Sequence, residues 1–237
     1  MRSKKAVFSV LILLCISGGW FQKAAQSGAP GPGDLDPTYG TGGKVKTEFT
    51  PTANMGGAAL QPDGKTVIAG IAGITDPYII ARYTSDGSPD PTFGSSGGRQ
   101  TSPFTVFARA VAIQPDGKIL VGGLGQGNQP FSAALFRLNS GGSTDTTFGT
   151  NGLVIVNFPD QSSIYDIAVL PHGKILVCGE VFLDNSFMLI RLNTNGSLDT
   201  SFGSGGTVRA KMGPSNPIIG GARAIAIQPD LKIVAVG

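Results

Sequence analysis

One short motif occurs four times along the chain at a nearly constant distance. Its copies are LDPTYGTGG at 35–43, PDPTFGSSGG at 89–98, TDTTFGTNG at 144–152 and LDTSFGSGG at 198–206. Their aspartates, Asp36, Asp90, Asp145 and Asp199, are 54, 55 and 54 residues apart. A fixed period of this length is typical of proteins built from stacked repeats, each of which is one supersecondary unit. The sequence therefore predicts an array of similar units of about 54 residues.

A second motif recurs within each unit and predicts a β-hairpin. It reads ALQPDGKTVIAG from Ala59, IQPDGKILVGG at 113–123, VLPHGKILVCG from Val169 and IQPDLKIVAVG from Ile227. Proline, aspartate and glycine favour successive positions of a tight turn. The run after the turn is apolar almost throughout, which indicates a strand covered on both faces.

Two copies of this turn depart from the pattern. His172 replaces the aspartate in the third copy, and Leu231 replaces the glycine in the fourth. Because leucine is strained in the left-handed conformation that glycine adopts readily, we expect the last hairpin to use another turn.

Each unit contains four predicted strands, which in the third unit are 153–158, 163–170, 174–181 and 186–193. Short strands separated by turn residues are typical of meandering antiparallel sheets, and four-stranded sheets stacked radially are the blades of a β-propeller. We therefore predict an all-β chain of β-propeller-type blades. The predicted blades cover about 42–85, 97–139 and 152–193, with an incomplete fourth at 205–237.

An arginine precedes three of the four motif aspartates by eight residues. The pairs are Arg82 with Asp90, Arg137 with Asp145 and Arg191 with Asp199. A guanidinium group can bind a carboxylate bidentately, so we predict that each pair ties a blade to its connector. The alternative is a ring of arginines and aspartates that faces a ligand.

The combination AIQPDGKILVGG, then FRLN, then a DGS-like turn, then LDxTFGxxG resembles the delta-60 repeat. This is a β-propeller repeat of bacterial secreted proteins whose domain family has no assigned function. The resemblance covers roughly residues 35–237 and implies a propeller-type fold and an exported or surface location. It brings no catalytic or binding residues with it. Because the fourth unit reaches Gly237 without a fourth strand, we expect a fragment of a larger propeller, with completion by another subunit as the alternative.

The first residues have the composition of a secretory signal peptide, with basic MRSKK followed by an apolar run and small residues. We predict a signal peptide at 1–25 and a Gly/Pro-rich leader at 26–41. The alternatives are a transmembrane anchor, which needs about 20 apolar residues, and a lipoprotein at Cys15. Without residues 1–25, 14 of the 18 basic residues remain against 15 acidic ones, so the charge gives no reason to expect nucleic-acid binding.

Few residues carry recognisable catalytic or metal chemistry. His172 is the one histidine of the sequence, and it lies in a turn without the partners of a triad or a zinc site. Cys178 lies inside the apolar run KILVCG, which predicts a buried side chain rather than a reactive thiol. The stretch GGLGQG at 122–127 does not match a dinucleotide fingerprint, and a strand follows it.

Oxygen-rich turns at 84–90, 139–145 and 193–199 raise the alternative of calcium binding. Calcium needs about six or more oxygen ligands, and Gly141 stands where the first copy has Asp86, so we interpret these segments as turns. Asn195-Gly196-Ser197 matches a glycosylation sequon, but Asn-Gly is also a common turn pair. We assign no catalytic, cofactor-binding or metal-binding residue from the sequence.

The function that these patterns favour is a secreted or surface β-propeller module with a non-enzymatic binding or scaffold role. Its partner would be a protein, a cell-surface component or a glycan, and neither nucleic acid nor a membrane span after signal cleavage is expected. One alternative is an enzyme, a hydrolase or lyase, whose site lies in the central funnel and is completed by further blades. Another is a lectin-like propeller, although Trp20 lies in the signal segment and only four tyrosines are present for stacking on sugars.

Overall fold

The computed structural model describes nine stretches of the chain. They are residue 31 and residues 33–47, 53–72, 76–95, 97–101, 104–127, 131–183, 186–211 and 220–237. The predicted signal peptide at 1–25 lies outside them, as does part of the leader at 26–41. In the described stretches no helix has the length and apolar character needed to cross a membrane.

The described chain is built from β-strands, with one short 3₁₀ turn at Pro171–Gly173. The strands are β1 (Ala53–Leu60), β2 (Thr66–Ala72), β3 (Asp76–Tyr83), β4 (Arg99–Thr101), β5 (Val106–Ile113), β6 (Ile119–Gly125), β7 (Ser132–Leu138), β8 (Leu153–Val156), β9 (Ser162–Val169), β10 (Ile175–Val181), β11 (Ser186–Leu192), β12 (Thr207–Ala210), β13 (Ala224–Ile227) and β14 (Ile233–Val236).

These strands form three four-stranded antiparallel sheets and one two-stranded hairpin. Sheet 1 has the order β1-β2-β3-β4, sheet 2 the order β5-β6-β7-β8, and sheet 3 comprises β9 to β12 in the same sequential order. Hairpin 4 consists of β13 and β14. Each sheet is thus a simple meander of strands that follow one another in sequence, and the predicted all-β, propeller-type class is confirmed.

The sheets group the strands differently from the predicted blade ranges. The run at 153–158, which we expected to open the third unit, instead forms β8 and pairs with β7 of sheet 2. The connector between β7 and β8 folds back onto β7. The backbone N–H of Arg137 donates to the carbonyl of Gly152, and the carbonyl of Arg137 accepts from the N–H of Asp145. The connector is therefore a long hairpin loop within one sheet, and the link from sheet 2 to sheet 3 is the short segment 157–161 after the fourth strand.

Apolar side chains from neighbouring sheets fill the space between them. Along β6, Ile119 and Val121 belong to the cluster shared with sheet 1, whereas Leu120 belongs to the cluster shared with sheet 3. All three are completely buried. The predicted strand with two covered faces is confirmed, and it is the second strand of its sheet.

The first strand of each sheet contains a β-bulge, which explains the glycine that ends the apolar run of the second motif. In sheet 3 the register skips Tyr165, because Cys178 pairs with Asp166 while Gly179 pairs with Ile164. The bulge brings the carbonyl of Ser163 so close to Gly179 that a Cβ atom there would lie 1.9 Å from the oxygen. The same clash occurs at Gly70, Gly123 and Gly237 at 2.4, 1.9 and 2.1 Å.

The two irregular turns have different geometries. Leu231 occupies the glycine position of the fourth turn at φ 65°, and the turn keeps the two backbone hydrogen bonds of the regular copies. The expectation of another turn type there is therefore wrong. The third turn does differ from the regular copies, because His172 has a positive φ of 63° in addition to the glycine that follows it. In the regular copies an aspartate at this position, such as Asp116, accepts from a backbone N–H two residues later, and histidine does not reproduce that contact.

We expect Leu231→Gly to stabilise the protein. A left-handed conformation costs a non-glycine residue roughly 1–2 kcal/mol, of which the greater backbone entropy of unfolded glycine cancels roughly 0.5–1 kcal/mol. Thermal unfolding should thus show a gain of about 0.5–1 kcal/mol. Leu231→Ala is the matched control, since it removes the exposed side chain but keeps the strain. An equal gain in both variants would contradict the explanation.

A connector clasp and a row of bulge residues

Each connector between the third and fourth strands of a sheet is closed by the predicted arginine and aspartate. The Nε–Oδ2 distances are 2.8 Å for Arg82–Asp90, 2.8 Å for Arg137–Asp145 and 2.7 Å for Arg191–Asp199. The pairs are confirmed, but the bidentate contact is not. The other carboxylate oxygen, in Asp145, accepts instead from the hydroxyl and the N–H of Thr147, at 2.6 and 3.1 Å.

A phenylalanine and a lysine complete this arrangement, which we call the connector clasp. In sheet 2 the guanidinium of Arg137 lies 4.3 Å from the ring centroid of the buried Phe148, and Lys118 Nζ lies 2.9 Å from Asp145 Oδ2. Burial alone would raise the pKa of Asp145, but the hydrogen bonds from Thr147 and the cations Lys118 and Arg137 hold it well below its usual range. Equivalent contacts occur with Phe93 and Lys65 in sheet 1 and with Phe202 and Lys174 in sheet 3.

The clasp also joins neighbouring sheets. Nη1 of Arg137 donates to the carbonyl of Thr194 in sheet 3 at 2.6 Å, and Nη1 of Arg82 donates in the same way to Ser140 in sheet 2. Both arginine side chains are nearly inaccessible to solvent, with exposures of 6% and 7%. These two guanidinium groups therefore have structural partners inside the protein, which favours the structural interpretation over a ring that faces a ligand.

The histidine, the cysteine and the glycine-rich stretch have separate locations. His172 borders a cavity of about 660 Å³ between the turns of sheets 2 and 3. Cys178 is buried in β10, as predicted, and burial raises the pKa of its thiol to about 12. Residues 122–125 of the glycine-rich stretch belong to β6. None of these three features contacts another in a way that builds a catalytic arrangement within the described residues.

The oxygen-rich turns use their polar groups internally. Oδ1 of Asp86 accepts from the hydroxyl of Thr84 and from the N–H of Ser88. Oδ1 of Asn195 accepts from the N–H and the hydroxyl of Ser197 at 3.0 and 2.8 Å. In the described parts of the chain, no group of three or more His, Cys, Asp or Glu side chains could hold a metal ion.

A row of side chains that the recurring motifs do not reveal lies at the bulge positions. The bulge residues Gly56, Arg109 and Tyr165 each lie three residues before an alanine that recurs in every first strand. Arg223, just before β13, has the same offset from its alanine, and we call these four positions the bulge row. First strands of neighbouring sheets pack against one another, and propeller blades surround a central channel. The row therefore follows the strands through which neighbouring sheets contact one another, and bulges are a common means of re-aiming a side chain at a site.

Tyr165 is the centre of this row. The guanidinium of Arg109 lies 5.0 Å from its ring centroid and that of Arg223 lies 4.1 Å from it. The phenol donates to Oε2 of the buried Glu180 at 2.9 Å, and Arg223 Nη2 lies 3.7 Å from the same oxygen. Burial, together with the hydrogen bond and charge of Glu180, raises the pKa of Tyr165, so the phenol remains a donor at neutral pH.

In the sequence, the row is marked by a position at which the repeated units differ, not by a residue that recurs in them. The four copies share the glycine that ends the apolar run, two of them keep the regular turn and three have the clasp residues, but at the bulge row they carry glycine, arginine, tyrosine and arginine. A search for recurring motifs passes over such a position. Aligning the four units and looking for the polar position that varies within a constant frame would have found it.

The family comparison matches the same units. Residues 61–93, 114–148 and 170–202 match the family described as "Domain of unknown function (DUF5122) beta-propeller". Three segments of the chain, one in each of sheets 1 to 3, thus match this family. The resemblance to a β-propeller repeat without an assigned function is thereby confirmed. Each DUF5122 match runs from the hairpin turn through the second and third strands to the connector, so the bulge residues Gly56, Arg109 and Tyr165 lie outside the matched stretches.

Among solved structures, the chain is similar to a protein of unknown function from Bacteroides caccae. The two share 14% sequence identity with a TM-score of 0.47, and the match covers 78% of this chain and 53% of that protein. The chain thus spans about half the length of that relative. No curated protein matches the chain.

Proposed function

We propose that the chain is a secreted or surface-exposed β-propeller module that binds a ligand without chemically changing it, and that the bulge row carries the binding residues. The N-terminal composition supports export, since a basic start, an apolar run and small residues form a signal peptide. The observation that carries the binding proposal is the contrast between constant and variable positions. The residues that build the sheets recur, whereas the bulge residues differ from copy to copy.

The chemistry of the row supports binding rather than catalysis. Among the described residues, the carboxylate that contacts Tyr165 is that of Glu180, which is buried, accepts from the phenol and lies beside the cation Arg223. A general acid or base must come within hydrogen-bond reach of the reacting group, whereas Glu180 is buried and already contacts Tyr165 and Arg223. Its position is instead that of a group which fixes the orientation of the tyrosine.

The proposal is tested by presenting the purified protein to an array of immobilised peptides and glycans, with the wild type compared with Tyr165→Ala. We expect ligands that the wild type retains to be lost by the variant, because both arginines lose the ring that positions them. His172→Ala serves as the control, since this residue borders the separate cavity between the turns. Binding that His172→Ala abolishes and Tyr165→Ala leaves intact would overturn the proposal, as would chemical conversion of a bound ligand.

A further inference from the structure

We infer that the bulge row formed by Arg109, Tyr165 and Arg223 is a carboxylate-binding site for an acidic peptide segment. This inference rests on the proposed binding function and adds the chemical class of the ligand. Its basis is a pair of guanidinium groups held by one tyrosine ring, with their charge only partly balanced by the protein.

The charges at the row leave room for one anion. Arg109 is exposed, and in the described part of the chain no carboxylate pairs with it. The side chain of Arg223 is 54% exposed and shares Glu180 with the tyrosine. Asp166, beside Tyr165, uses its carboxylate on the backbone N–H groups of Ile167 and Ile225. A single carboxylate would therefore pair with the exposed Arg109, whereas a phosphate monoester would bring about two negative charges to it.

The arginines are also preorganised. Both guanidinium groups lie within 5.0 Å of the same ring centroid, and stacking on an aromatic face leaves the N–H donors at the edge of the guanidinium plane available to an acceptor. The ring itself is fixed by its hydrogen bond to Glu180 and by its place between two paired stretches of β9. A ligand therefore meets donors whose side-chain entropy has already been reduced, which favours affinity.

An acidic peptide fits this row better than an acidic glycan does. Glycan sites commonly need an aromatic face against which the sugar ring can lie, but in this row the ring of Tyr165 is contacted by arginines. Tyr83 is buried with an exposure of 3%, so it offers no alternative face. A carboxylate on a flexible peptide side chain needs only the guanidinium edges.

The test uses a fluorescently labelled peptide of alternating glutamate and serine, with the glutamine counterpart as the ligand control. Fluorescence anisotropy at physiological ionic strength compares the wild type with Arg109→Gly, which places at this position the residue that sheet 1 has at Gly56. We expect Arg109→Gly to weaken binding of the glutamate peptide about tenfold, which corresponds to ~1.4 kcal/mol, because it removes one charge-assisted contact to the carboxylates. The glutamine peptide should bind no variant measurably.

Lys211→Gln is the matched control, because it removes one exposed positive charge outside the row, after β12. An equal loss in Arg109→Gly and Lys211→Gln would overturn the inference, since it would indicate attraction to overall charge. Absence of wild-type binding to the glutamate peptide, or tighter binding of polygalacturonate, would overturn it as well. If the array ligands lost by Tyr165→Ala lack carboxylates, this inference fails while the proposed binding function stands. Circular dichroism and thermal unfolding verify that both variants are folded.

Discussion

Gly179→Ala should destabilise the protein strongly, although it adds only one methyl group. The new Cβ would lie 1.9 Å from the backbone oxygen of Ser163 and 2.9 Å from Cε of Met188. The methionine can move, but the carbonyl belongs to the bulge in β9 and moves only if the pairing with β10 is disturbed. Because overpacking of this kind typically costs 1–3 kcal/mol and occasionally more, we expect a loss of about 3 kcal/mol.

Denaturant unfolding measures the effect, with Gly141→Ala as the control. Gly141 lies in an exposed turn, and a Cβ atom there would have no neighbour within 4 Å. We expect this variant to differ from the wild type by no more than about 0.5 kcal/mol, as for ordinary surface changes. If Gly179→Ala proved as stable as Gly141→Ala, the bulge would not be the reason for the recurring glycine.

Arg137→Ala should produce the second large loss. The substitution leaves Asp145 buried with the partly exposed Lys118 as its remaining cation, removes the donor to the carbonyl of Thr194 and uncovers the ring of Phe148. Breaking a buried pair by removing one partner costs about 3–5 kcal/mol. Since natural domains are stable by about 5–15 kcal/mol, we expect a much lower unfolding midpoint in urea.

Two further variants distinguish the loss of the buried arginine–aspartate contact from the loss of a positive charge alone. Lys118→Ala removes a cation from the same carboxylate, but its side chain is 30% exposed, so we expect a loss of about 1 kcal/mol or less. The double variant Arg137→Met and Asp145→Asn removes both charges and should recover part of the loss of Arg137→Ala, because it leaves no buried charge unpaired. A loss for Arg137→Ala no larger than that for Lys118→Ala would contradict the role of the clasp.

The features that depend on local chemistry were predictable from the sequence. The period of the aspartates indicated the repeat, the apolar run indicated a strand covered on both faces, and the constant offset between arginine and aspartate predicted a contact that is confirmed at 2.7–2.8 Å. Each of these depends on residues that lie close together in the chain and recur in every copy.

Features that depend on longer-range pairing were not predictable in the same way. The assignment of β8 to sheet 2 follows from its pairing with β7 and from the hydrogen bonds between the connector and Arg137 of β7, and no residue in the strand reveals it. The strained turn at Leu231 is imposed by the pairing of β13 with β14, which outweighs the conformational preference of leucine. The bulge row was not predicted, because its residues differ from copy to copy.

The β-bulge has a consequence for how proteins of this kind could diversify. A bulge residue has no partner in the strand ladder, and Gly56, Arg109 and Tyr165 show that glycine, a cation or an aromatic ring can follow the same backbone path. Under the proposed function, recognition and folding are thus encoded at separate positions. One substitution per sheet is enough to change the side chain at the bulge, so a library randomised at these positions alone would vary that chemistry on an unaltered scaffold.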